Sequence, residues 1–228
     1  MMGPAPPNDI TLQALADKRP RPAIDQQTPI DPTINIRYTS LQIIPEDVST
    51  TLHTFSLGSP GEPYVLTPQH LIGLLAEDSD CRLLTAITDL VNIVLAGKLD
   101  SEINIILYKG QLIVLSHTDG AVRAIVAEFV LRRMAAICAN SHVIGARSKV
   151  FQPREVGIGV AGGAQAAIDA TRRYINQLSS GYAFTKLDFA NALNTLRRGL
   201  LLDTVARNIP ELYRFTLSTY ASCEPALV

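Results

Sequence analysis

Residues 182–198 read YAFTKLDFANALNTLRR. The first half, Tyr182 to Phe189, mixes aromatic, β-branched and aliphatic residues with few charges, which predicts a buried strand carrying Asp188 near its end. Ala192, Leu193, Leu196, Leu200 and Leu201 then recur at spacings of three and four, so one apolar helical stripe is expected within a few residues of Asp188. A carboxylate therefore stands where strand becomes helix. Strand ends present functional groups there in α/β sheets, and nucleotidyl-transfer enzymes hold a metal ion there against a triphosphate. The plainer alternative is an Asp that caps a helix or charges its first turn, favoured by the helix dipole.

The run KLDFANALNTLRR, residues 186–198, resembles the first catalytic motif of the reverse transcriptases (RNA-directed DNA polymerases) of non-long-terminal-repeat retrotransposons. In that family a strand ends in Lys-Leu-Asp-Phe and Asn-Ala-Phe-Asn follows. The resemblance implies that Asp188 is the catalytic carboxylate and a magnesium ligand, with help from the Phe189 carbonyl. It implies that Asn191 and Ala192 lie under the incoming triphosphate. Leu193 falls where the family has an aromatic residue that screens the ribose 2′ position, a departure that bears on sugar discrimination.

Composition bounds what else the chain can be. Its 228 residues, 47% of them hydrophobic, suffice for a sizeable core. A net charge of −1 gives no global basic field, so any contact with nucleic acid must come from local clusters. Cys81, Cys138 and Cys223 lack disulfide or zinc spacing, which suits a reducing intracellular compartment, nuclear or cytoplasmic. No apolar run is long enough to span a membrane, and the first residues lack the pattern of a signal peptide.

Residues 1–37 hold half of the 14 prolines and no clear periodicity, so a disordered tail is expected, with the basic run Lys18-Arg19-Pro20-Arg21 inside it. Short helices are predicted over Ile44 to Leu52, with Pro45 in the first turn, and from Pro68 to Leu75, with Thr67 as cap. A longer helix is predicted from Leu83 to Leu95, ending at Gly97. Residues 103–115 carry a strand signal broken at Lys109-Gly110, and Asp119-Gly120 predicts a hairpin between Gln111 to Ser116 and Ala121 to Val126. In the family this hairpin is a fingers element whose basic side chains clamp the triphosphate. Here LIVLSHTDGAVRAI keeps Arg123 but has Ser116, His117 and Thr118 where the family has lysines, so the clamp is expected to be weak.

Glu128 to Asn140 predicts a helix with Val130, Leu131, Met134, Ile137 and Cys138 inward. Arg132 and Arg133 on that helix, with Arg172 and Arg173 further on, are candidate nucleic-acid contacts, and Arg147, Lys149, Arg154 and Arg197-Arg198 add to them if the fold brings them together. The alternative is that paired cations simply form solvated helix faces. GIGVAGG, residues 157–163, formally contains a dinucleotide fingerprint, but Pro153 and charges spoil the strand that should precede it. Its likeness to the family's glycine-rich turn before the first palm strand accounts for it better.

The resemblance covers about Ser40 to Ser222 and stops before the family's Tyr-x-Asp-Asp hairpin. Two-metal transfer needs several carboxylates to hold ions about 4 Å apart, and Asp169 and Asp203 match no motif. The expected fold is thus α+β, an incomplete fingers–palm arrangement, mostly helical, with a fingers hairpin and one palm strand. The expected divisions are a disordered tail (1–37), N-terminal helices and hairpin (38–150), and glycine-rich turn with the first palm motif (151–228). The expected function is a truncated reverse-transcriptase-like chain, inactive alone, with weak or absent Mg2+ binding, weak affinity for RNA or DNA template-primer, no membrane, and self-association through the open palm face. The alternative is a noncatalytic remnant that binds nucleic acid or protein.

Overall fold

The computed structural model describes residues 3–18, 39–59, 61, 65–108, 110–116, 121–152, 154–187 and 196–220. It mixes helix and strand and is mostly helical, and it divides into residues 1–139 with 193–228 as one unit and residues 140–192 as another. In chain order the described elements are β1 (Gly3–Pro4), α1 (Asp9–Lys18), α2 (Pro45–His53), α3 (Pro68–Ala76), α4 (Arg82–Leu95), α5 (Ser101–Tyr108), β2 (Gly110–Ser116), β3 (Val122–Glu128), α6 (Val130–Phe151), α7 (Gly163–Asn176), α8 (Arg198–Asn208), a 3-10 turn (Pro210–Leu212) and α9 (Tyr213–Tyr220).

Local chemistry sets the helix starts in the first unit. Pro45 and Pro68 each sit in a first turn, where the missing N–H is no loss. The Asp47 carboxylate accepts the Ile44 N–H at 3.1 Å, and Thr67 Oγ1 accepts the His70 N–H at 3.2 Å. Asp78 does more, accepting the N–H groups of Arg82, Leu83 and Leu84 at 3.1, 2.8 and 3.1 Å, which satisfies most of the open donors at the start of α4.

Those helices bury one face. Val48 and Leu52 of α2, Leu71 of α3, Ile87, Val91, Val94 and Leu95 of α4, and Val130, Met134, Ala135, Cys138 and Ala139 of α6 form a continuous core. The approach to α2 is fastened by a side chain from α4. Asn92 Oδ1 accepts the Ile43 N–H at 2.9 Å and Asn92 Nδ2 donates to the Ile43 carbonyl at 3.0 Å, so the amide takes the place of a neighbouring strand. Leu202, Ala206 and Tyr213 make a smaller cluster between α8 and α9.

The predicted hairpin is present. β2 and β3 pair antiparallel from Gly110 opposite Glu128 to Ser116 opposite Val122, while the expected turn at Asp119-Gly120 lies outside the described residues. The strand expected over residues 103–108 is instead α5, with Leu107 buried and Ile103, Ile105 and Ile106 exposed. A short apolar run fits either period, and docking of Leu107 and Tyr108 on the core decides for helix. The helix after the hairpin is longer than predicted; of the residues expected inward, Val130, Met134 and Cys138 are buried and Leu131 packs half-buried against the core, while Ala135 and Ala139 complete the seam in place of Ile137.

Two further expectations need correction. Within the tail, residues 3–18 carry β1, paired to β2, and α1, because packing against the hairpin replaces the core this segment cannot build alone. Residues 19–37 lie outside the described residues. Tyr182 to Leu187 form no strand and are exposed, since no described strand runs beside them to accept their backbone groups. The last helix of the motif region is seen from Arg198, and it buries Leu202 and Ala206 while Leu196 and Leu200 stay exposed.

Candidate nucleic-acid and metal site

Asp188, Phe189, Asn191, Ala192 and Leu193, the residues that the catalytic motif singles out, lie outside the described residues. The structure describes their surroundings on either side. Upstream, Tyr182, Phe184 and Leu187 are 72%, 48% and 77% exposed. Downstream, α8 begins at Arg198, and its carboxylate Asp203 is paired with Arg207 at 2.8 Å.

Arg123 is the hairpin's retained cation. It sits in β3 opposite Leu115 and is exposed, so a phosphate can reach it without displacing packed side chains. At about 3.4 Å per residue it lies roughly 17 Å along the strand from Glu128. Glu128 pairs with Arg132, one helical turn on, and the Arg132 guanidinium also lies 4.8 Å from the centre of the Tyr108 ring. Arg133 lies 4.9 Å from the centre of the Phe55 ring. Both arginines are half-buried. Arg132 therefore fastens α6 to α5, and Arg133 fastens it to the turn after α2, uses of the planar guanidinium beyond a solvated helix face. Their rings, far upstream in the chain, could not be matched to them from spacing.

The second unit contains the other cationic pair. Residues 140–192 hold six Lys and Arg against three Asp and Glu, a basic excess absent from the chain as a whole. Arg172 and Arg173 are exposed on α7, and Arg172 stands 3.8 Å from Asp169, too far and too wet for a strong pair. Asp169 also accepts from Gln165 Nε2 at 3.1 Å. The glycine-rich stretch does not follow a strand. It joins α6 to α7, with Gly162 in the left-handed region at φ 68° and Gly163 so close to the Val156 carbonyl that no side chain would fit. That helix-to-helix setting removes the strand a dinucleotide fold requires.

Among the described residues no group of three His, Cys, Asp or Glu side chains is placed to hold a metal ion. An open cavity of about 240 Å³ lies between α2, α3 and α4, lined by Ser49, His53, Leu75, Asp78, Cys81 and Leu84 among others. Its polar groups are largely engaged, Asp78 in capping α4 and His53 Nδ1 with the Ser49 carbonyl at 2.8 Å. Cys138 is buried nearby in the core with its sulfur 3.2 Å from Thr51 Oγ1. Burial pushes its thiol above the ordinary value, the Thr51 hydrogen bond opposes this, and the Asp47 charge adds to it.

No described helix is long and apolar enough to cross a membrane. Comparison of the chain with protein-family models, with curated proteins and with solved structures gives no match.

Proposed function

We propose that the chain is a fingers and first-palm segment of a reverse transcriptase of the non-long-terminal-repeat retrotransposon type, inactive as a polymerase by itself. The observation that carries this reading is the order in which the parts occur. A helical core leads into a hairpin bearing Arg123, then a long helix, a glycine turn into α7, and finally Lys186-Leu187-Asp188-Phe189. In this reading Arg123 contacts a triphosphate, Asn191, Ala192 and Leu193 line the nucleotide, and Asp188 with the Phe189 carbonyl holds a magnesium ion. One carboxylate falls short of the set that clamps two ions, so affinity for Mg2+ is weak and no nucleotide is transferred.

Exposure of Tyr182, Phe184 and Leu187 favours the second reading, a noncatalytic remnant that binds nucleic acid or protein. Both readings place the phosphate-binding cations on the basic second unit, at Arg172 and Arg173. Binding of the full chain to single-stranded RNA across a salt series tests them. It should be weak, indifferent to sequence and steeply salt-dependent, and replacing Arg172 and Arg173 with Ala should flatten the slope by about 0.7 for each of the two that neutralises a phosphate. Asp188→Ala should leave metal-free binding unchanged. Salt-independent binding, or none at low salt, would refute the phosphate role. Template-dependent primer extension that disappears in Asp188→Ala would show instead that the segment is an active polymerase.

A further inference from the structure

The two strands of the hairpin differ in charge. β3 carries Arg123 and Glu128, whereas β2, Gly-Gln-Leu-Ile-Val-Leu-Ser, has neither a charge nor a proline. An uncharged, proline-free strand with an apolar Leu-Ile-Val-Leu centre pairs readily with another copy of itself when its edge is open. The outer edge of β2 is the one that the N-terminal arm covers. Gly3 lies opposite Ser116 and Pro4 opposite Leu115, and the Ala5 N–H donates to the Val114 carbonyl at 2.8 Å.

The chemistry of the arm makes it an end to the sheet. Backbone groups of successive strand residues point to opposite sides. Since the Ala5 N–H faces β2, the nitrogen of Pro4 faces away, and it has no hydrogen to offer a further strand. Pro6 and Pro7 then stop the strand, and the Asn8 side chain accepts the Thr11 N–H at 2.9 Å to start α1, which packs against β3 with Thr11 buried. The attachment is slight. Two paired residues and one short helix, with Ile10 and Leu12 left exposed, open at low free-energy cost.

We propose that residues 3–18 are an edge guard, and that lifting them lets β2 pair antiparallel with β2 of a second copy across a two-fold axis. The test uses the full chain. Ala5→Pro removes the donor to Val114, and Thr11→Glu places a carboxylate at the covered position of α1. The double variant should show a weight-average mass in sedimentation about twice that of the wild type, as a closed two-fold pair requires. Adding Ile113→Lys should return the mass to the wild-type value, because that exposed position would set like charges opposite each other across the axis. Amide exchange at Val114 and Ser116 reports the state of the edge. A double variant that keeps the wild-type mass overturns the proposal. Fast exchange would then mean that the bare edge does not pair, and slow exchange that the arm is not what protects it. Association that survives Ile113→Lys overturns it as well, since it would run through another surface.

Discussion

Replacing Asn92 with Ala should be among the most damaging single changes to the first unit. The substitution removes both hydrogen bonds to Ile43, at 2.9 and 3.0 Å, and leaves a backbone N–H and C=O beside a residue that is 5% exposed. A buried backbone group without a partner costs about 1–3 kcal/mol, and some relaxation towards water is expected at this half-buried helix position. Together the two groups should cost about 2–4 kcal/mol, a large share of the roughly 5–15 kcal/mol that holds a domain folded. Urea unfolding followed by far-ultraviolet circular dichroism reads this as a fall in midpoint at unchanged slope. Asp89→Ala, on the exposed face of the same helix, is the control and should move stability by no more than about 0.5 kcal/mol. If Asn92→Ala costs no more than the control, the amide does not hold the chain's approach to the core, and the account of how that segment is fastened fails.

Arg132→Ala should destabilise the first unit by about 1–2 kcal/mol, through loss of the Tyr108 stacking and of an ion pair in which the arginine is 18% exposed. Arg132→Lys should recover only part of that in thermal melts, because an ammonium does not stack as a guanidinium does. Full recovery would mean that charge alone matters there. For Cys138 the folded thiol sits above its ordinary value of 9.0, so the unfolded chain releases the proton first and stability falls as pH rises past that value. Denaturation midpoints should therefore decline less steeply between about pH 8 and 10 in Cys138→Ala than in the wild type, and parallel declines would contradict the assignment.

What was legible beforehand was mostly local. Thr67-Pro68 and Pro45 announce helix starts because the cap and the missing N–H act within one turn. The hairpin was legible for a similar reason, since two apolar runs around Asp-Gly pair with their neighbours in the chain. The strand expected at Tyr182 was not of that kind. Its composition suits a strand, but a strand exists only beside another, and none is described there. The helix at Asp9 was missed for the converse reason, as its stability comes from the hairpin more than a hundred residues on. Arg132 and Arg133 looked like surface charge because nothing near them in sequence names Tyr108 and Phe55 as their neighbours. The catalytic motif was legible from residue identity, Asp188 above all.

Divalent metal binding at that carboxylate can be measured without a polymerase assay. Mn2+ titrated into the full chain with a deoxynucleoside triphosphate, and followed by electron paramagnetic resonance of the free ion, reports binding without any need for catalysis. Uptake should be weak, with a dissociation constant on the order of 1 mM, lost in Asp188→Ala and reduced in Arg123→Ala. Identical titrations for the wild type and Asp188→Ala would contradict that expectation.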